Sequence, residues 1–314
     1  MFFRKKRDYS KEIVSLLPHE RSNLYGFNRE SAQILGWHIS KFNIDSQWKL
    51  STGKGVVVAV IDTGCDMEHP DLKENLLPGV NLIDYNKPPQ DDNGHGSHVC
   101  GTIAGLNNGF GVVGVAPESK ILPIKALDGK GRGSLANIFR GIEIAIENKV
   151  DFITMSLGSA EPCNDLDNLL QKANKEGIIA FCAAGNSGEN TDVSYPARYD
   201  STISIGAIDE NLDRTHFTCS GESLDFLAPG HNIISTVTGG YATMSGTSMS
   251  NPFAVGIACL LKEFNSRYNK FDLKRVDDYI DVLKKQVIEI PDSKYRSHKY
   301  SGYGILNLDL SSIG

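Results

Sequence analysis

Four stretches of this 314-residue chain carry side chains that could attack a carbonyl and move the protons involved. "VIDTGCD" supplies Asp62 and Asp66, "NGHGSHVCGT" supplies His95 and His98, "AAGNSG" supplies Asn186, and "SGTSMSNP" supplies Ser248. Nucleophilic acyl transfer needs a hydroxyl, a base to take its proton, a group that orients the base, and donors where the oxyanion develops. Ser248, His98, Asp62 and Asn186 are of the right types for these four jobs. Ser248 opens the apolar helical stretch "MSNPFAVGIACLLKEF". Its backbone N–H would then be one of the unpaired amides at a helix N-terminus, free to donate to an oxyanion.

Such residues need a frame that brings distant sequence to one place. "GKGVVVAVID" is a continuous apolar run ending in Asp62, the pattern of a parallel strand buried on both faces. "KILPIKAL", "VDFITMSLG", "GIIAFCAAGN", "STISIGAI" and "LDFLAPG" repeat that pattern. Helical spacing separates several of them, over 135–149 and 166–177. The alternation predicts an α/β fold, a doubly wound parallel sheet flanked by helices, in a single domain. In open α/β sheets ligands bind beyond the carboxyl ends of the strands. Asp62, Ser156 and Asn186 each follow an apolar run, so all three are expected on one edge. Residues 1–50 read as polar and irregular, with weak helical patterning around 29–41.

Composition removes several classes of function. Net charge is −6 with no basic stripe, so a nucleic-acid partner is not expected. The basic cluster Arg4 to Arg7 reads as a solvated tail, because Asp8, Lys11 and Glu12 break the apolar run a secretory signal would need. No window reaches the length and apolarity of a membrane span. Cys65, Cys100, Cys163, Cys182, Cys219 and Cys259 form no C-x-x-C pair, and buried free thiols in a reducing cytoplasm are the expectation, with secretion by another route left open. His95 and His98 lack the H-E-x-x-H arrangement of a zinc protease. Ser248 lacks the G-x-S-x-G of an α/β-hydrolase, and the first strand is not followed by G-x-G-x-x-G.

These blocks resemble the three catalytic signatures of the subtilisin-like serine proteases in the order Asp, His, Ser, with the Asn186 block between the last two. "DTGCDMEHPDL" is similar to the intracellular members in particular, and the likeness runs from about residue 33 to "SGYGILNLDL". The resemblance implies a serine endopeptidase in which Asp62, His98 and Ser248 form the triad and Asn186 contributes to the oxyanion hole. It assigns the base to His98 and leaves His95 to local hydrogen bonds. Phe253 stands where the family commonly has a histidine, which implies altered packing. The alternatives are a catalytically silent relative that only binds, and a protease dedicated to one precursor rather than broad turnover.

The same likeness implies two substrate-binding edges. Gly131, Gly133 and Leu135 belong to one, and Ser156, Leu157 and Gly158 to the other; an extended polypeptide would add between them as a strand. Ala183, Ala184 and Gly185 would form a wall of the first specificity pocket, with Ser194 making it shallower. Leu135 would make the P4 pocket apolar. Structural calcium is the implied cofactor, held by the side chains of Gln33, Asp71 and Asn108 and the carbonyls of Leu106, Phe110 and Val112. Residues 33–314 are the implied catalytic domain. Residues 1–32 are an extension, in which Leu16-Leu17-Pro18 resembles an inhibitory segment lying across the cleft. Expected partners are polypeptide substrates and this segment, with a homodimer also open.

Overall fold

The computed structural model describes residues 8–26 and 32–313. Arg4 to Arg7 and the start of the helical patterning at 29–31 lie outside them. In chain order the strands are β1 (Ile13–Leu16), β2 (Glu20–Tyr25), β3 (Val57–Asp62), β4 (Val80–Asn81), β5 (Lys120–Lys125), β6 (Arg132–Ser134), β7 (Phe152–Met155) and β8 (Leu157–Gly158). They continue as β9 (Ile179–Ala183), β10 (Thr202–Ile208), β11 (Phe226–Pro229), β12 (Ile233–Val237), β13 (Gly240–Ser245), β14 (Val287–Ile288) and β15 (Ile305–Leu306). The helices are α1 (Trp37–Ser40), α2 (Ile44–Gln47), α3 (His95–Ala104), α4 (Leu135–Glu147), α5 (Asn164–Lys175), α6 (Thr247–Tyr268), α7 (Val276–Leu283) and α8 (His298–Ser301).

Each apolar run read from the sequence becomes a strand of one sheet, ordered β14-β15-β11-β10-β9-β7-β3-β5-β4. The pairs from β4 to β15 are parallel, and β14 closes the edge antiparallel. The strands read as unbroken apolar runs because helices flank the sheet: α4 packs with α5, α3 packs with α6, and both pairs lie against it. β9 and β10 are buried along their whole length. β3 pairs with β5 on one side and β7 on the other, so the chain reverses its direction of travel through the sheet at β3. The carboxyl ends of β3, β7 and β9 are therefore neighbours, as the position of a ligand site in such sheets requires.

Residues 8–26 differ from the irregular leader expected. β1 lies antiparallel between β6 and β8, and β2 lies antiparallel on β13, beyond which stands β12. Their sequences did not announce strands because the order comes from distant partners. β2 is exposed at all six residues, so "ERSNLY" has no buried face to write as alternation. Within the described part of the patterning at 29–41 the chain forms the short helix α1, and α2 follows it.

Candidate active site

Asp62 ends β3 with its carboxylate buried. One oxygen accepts from Thr63 N at 2.7 Å, and the pair of oxygens faces His95 Nδ1 at 2.9 and 3.0 Å. This contact places the Nδ1 proton between ring and carboxylate and leaves Nε2 as the basic nitrogen. His95 is the first residue of α3, and the loop before it is held by Asp91. That carboxylate accepts from Asn93 N, Gly94 N, Ser97 N, Ser97 Oγ and Thr63 Oγ1.

His98, the residue expected to be the base, does not face Asp62. Its Nε2 donates to Ile233 O at 3.0 Å and its Nδ1 is buried without a partner. Burial, with His95 nearby, holds its pKa down to about 3, so it is a neutral packing residue beneath β12. The expectation is corrected: His95 is the imidazole paired with Asp62, and His98 sits one helical turn deeper. Both histidines lie in one block among glycines, and neither type nor local propensity separates them. Both are fully buried in one helix, and only the group opposite each differs, Asp62 for His95 and the Ile233 carbonyl for His98. Among the other histidines His38 and His69 are buried, His216 is exposed and His231 is partly exposed.

Ser248 is the second residue of α6. Pro252 has no N–H to return to the Ser248 carbonyl, and Ser156 Oγ donates to that carbonyl instead, at 3.2 Å. Ser248 Oγ lies 3.4 Å from Ser156 O. His95 Nε2 is buried without a hydrogen-bond partner, so no hydrogen bond joins it to Ser248 Oγ. Asn186 follows β9. Its Oδ1 accepts from Thr247 N and Thr247 Oγ1 at 2.9 and 2.8 Å, which fixes the amide at the N-terminus of α6. Its Nδ2 donates to the carbonyl of Pro18 at 2.5 Å. A buried carboxylate–imidazole pair, a helix-terminal serine and an amide donor holding a peptide carbonyl thus meet at one sheet edge.

A model of the subtilase family, Peptidase S8, matches residues 53–277. The chain belongs to the subtilase family. It is 42% identical over 270 residues to an intracellular serine protease of Paenibacillus polymyxa, covering 83% of this chain and 81% of that one. It is 40% identical over 245 residues to subtilisin BL of Lederbergia lenta, covering 77% and 90%. The minor extracellular protease Epr of Bacillus subtilis (strain 168) is 35% identical over 272 residues, which is 86% of this chain and 40% of Epr. The protein is a subtilisin-like serine endopeptidase.

The remaining expected site residues of this subtilase fall around the same edge. Gly133 pairs with Val14, Gly158 with Ser15 and Leu157 with Leu16, while Gly131 O accepts from Leu16 N at 2.9 Å. The Leu17 side chain is buried. A Cβ added at Gly158 would stand 2.7 Å from Leu17 Cδ2 and 3.2 Å from Ser194 Cβ, so Leu17 and Ser194 both pack beside Gly158. Ala183 and Ala184 are buried, Ser194 N donates to Ala184 O, and a Cβ at Gly185 would stand 2.7 Å from Ser194 Oγ. Val14, Leu135, Ile138, Leu157 and Leu166 line an apolar cavity of about 100 Å³.

The residues assigned to calcium also gather. Gln33 Nε2 donates to Leu106 O at 2.7 Å, and Gln33 Oε1 accepts from Gly109 N. Buried Asp71 accepts from Asn108 Nδ2, Val112 N and Tyr241 Oη at 2.9, 2.9 and 2.8 Å. Phe110 N donates to Asn108 Oδ1. Gly111 has φ +60°, and a Cβ there would stand 2.0 Å from Asp71 Oδ2, so only glycine lets the loop close on the carboxylate. Among the described residues no three His, Cys, Asp or Glu side chains are grouped to hold a metal, and all six cysteines are free and buried. No described helix is long and apolar enough to cross a membrane.

Proposed function

We propose that this endopeptidase acts through Asp62, His95 and Ser248, with Asn186 and the Ser248 N–H as the oxyanion hole, and that residues 13–25 hold it latent. The observation that carries this reading is the Pro18 carbonyl on Asn186 Nδ2, beside the buried Asp62–His95 pair. In turnover Ser248 Oγ adds to the carbonyl carbon of the substrate while His95 Nε2 takes its proton. Asp62 holds the Nδ1 proton and favours the imidazolium that forms. The oxyanion is held by Asn186 Nδ2 and the Ser248 N–H. The C–N bond breaks, the amine leaves with the proton from His95, and water repeats the sequence on the acyl-enzyme.

The extension fits the cleft out of register. Leu17 packs against Gly158, a residue of the first specificity pocket, so its own carbonyl should lie on the oxyanion donors. Instead His19 Nδ1 approaches Leu17 O at 3.1 Å, and the carbonyl on Asn186 is that of Pro18. Pro18 fixes φ and has no N–H, and this makes the one-residue displacement natural. The bond after Leu17 is therefore held away from Ser248, while tethering keeps the segment at high effective concentration.

Backbone pairing with β6 and β8 tolerates many side chains, which supports broad endopeptidase activity with an apolar residue of leucine size before the cleaved bond. Calcium fits the loop 106–112. One carboxylate, two amide side chains and backbone carbonyls are a hard oxygen set, already drawn together by mutual hydrogen bonds. Gln33, Asp71 and Asn108 with the carbonyls of Leu106, Phe110 and Val112 would hold the ion, which would clamp the loop to the segments carrying Gln33 and Asp71. The name of the P. polymyxa relative and the unpaired cysteines support a cytoplasmic setting.

The test uses the full chain. A serine-directed phosphonate labels Ser248 in wild type and nothing in Ser248→Ala. Asn186→Ala lowers kcat by about 10²–10³, the range for one oxyanion donor that was itself established on a subtilisin. Leu17→Asp raises activity on a peptide substrate. Full activity in Ser248→Ala ends the catalytic reading, and equal activity of Leu17→Asp and wild type ends the latency.

A further inference from the structure

β13 is an open strand edge until β2 covers it, and the way β2 lies there is informative. The register runs Glu20 to Ser245, Arg21 to Met244, Ser22 to Thr243, Leu24 to Ala242 and Tyr25 to Tyr241, with Asn23 bulged out at φ +48°. All six β2 residues are exposed, so the pairing with β13 is made by backbone, while Arg21 Nη1 reaches across to Asn93 O at 3.5 Å. β13 itself is buried at every residue and is held from behind by β12. Both ends of the edge are cleared for a passing chain. At Gly240 an added Cβ would meet Tyr25 O at 2.2 Å, and its three nearest atoms all belong to Tyr25 and Gly26. At Gly246 an added Cβ would meet Asn186 Nδ2 at 3.1 Å and His19 Cβ at 3.3 Å. β13 leads through Gly246 directly into Ser248, so a chain leaving the oxyanion position runs along it.

We propose that, once the extension leaves, β13 takes the C-terminal flank of the substrate as an added antiparallel strand reaching from Ser245 to Tyr241. The inference rests on the reading of the cleft given above and names its substrate class: polypeptides that stay extended well past the cleaved bond, such as unfolded chains or long linkers. Main-chain hydrogen bonds supply the affinity and the side chains point to solvent, so the flank is read for length and extended backbone and not for sequence. On the other side of the bond β6 and β8 take the N-terminal flank, and the extension from Ile13 to Tyr25 traces the whole footprint.

The test compares two fluorescent peptides with one N-terminal half. The short peptide stops at the position His19 occupies and the long one continues to that of Tyr25. Binding is measured on the full chain carrying Leu17→Asp, to free the cleft, and Ser248→Ala, to stop turnover. The long peptide is expected to bind about tenfold tighter or better, the gain of a few net backbone hydrogen bonds. It should also restore hydrogen-exchange protection to Tyr241–Ser245. Gly240→Ala and N-methylation of the flank amides should each remove the gain. If Leu17→Asp leaves β2 protected, Arg21→Pro and Leu24→Pro are added to lift it. Equal affinity of the two peptides overturns the inference. Failure of the catalytic reading would show instead as Ser248 unlabelled by phosphonate in the Leu17→Asp chain, whatever the two affinities.

Discussion

The His19 and His95 rings meet at a tilt of 53° with centroids 4.7 Å apart, so the residue after Pro18 packs against the imidazole paired with Asp62. Burial, then the neighbouring His95, lowers the His19 pKa below its ordinary 6.5, while the Leu17 carbonyl and Asp62 oppose the shift and Arg21 adds to it. A group whose pKa is depressed in the docked state favours docking above its free value. That contribution is lost as pH falls from about 6.5 through the depressed pKa, because the released segment binds the proton more readily. Hydrogen-exchange protection of Ile13–Leu16 in the Ser248→Ala chain should fall between neutral and mildly acid pH. In His19→Phe the fall should be smaller; the same pH profile in both chains would refute the role of His19.

The different partners of the two α3 histidines make a sharp pair of variants. His95→Ala should lose on the order of 10⁶ in kcat, a figure established for loss of the base in a subtilisin. His98→Ala should retain kcat per folded molecule and lose stability by about 2–5 kcal/mol, as buried large-to-small changes do. His98 is neutral in the fold down to about pH 3 and takes a proton near 6.5 when unfolded. It therefore contributes to a decline in stability as pH falls from 6.5 toward 3. Denaturant melts at several pH values should show a shallower acid decline in His98→Ala than in wild type.

Removal of calcium should lower the melting temperature, since a ligand bound only to the native state adds about 2.7 kcal/mol at one hundred times its Kd. Calcium should restore the loss more fully than magnesium, whose tighter octahedral demands suit a loop of carbonyls poorly. Asp71→Ala removes the one carboxylate of the set and should abolish the difference between chelator and calcium. An unchanged melt of the wild type in chelator would remove the ion from the description.

Much of this protein could be read before its fold was known. The buried strands β3, β5, β7, β9, β10 and β11 are apolar runs because both faces of the sheet are covered, and α4, α5 and α6 carry their own helical spacing. Asp62, Asn186 and Ser248 were legible because each stands where a strand ends or a helix begins, a boundary that sequence marks locally. Leu16-Leu17-Pro18 was legible by type, and its pairing with β6 and β8 follows from backbone that any extended apolar segment could use. His95 and His98 could not be separated that way. Three residues apart in one helix, they differ only in what stands opposite: Asp62 for one, the Ile233 carbonyl for the other. The same limit hid β2, whose exposed side chains carry no pattern because its order comes from the edge of β13, more than two hundred residues away. Sequence alone determined the elements whose burial is written into their own residues. Tertiary structure decided which partner each of two like side chains meets, because that choice depends on the approach of distant strands and not on anything local to the chain.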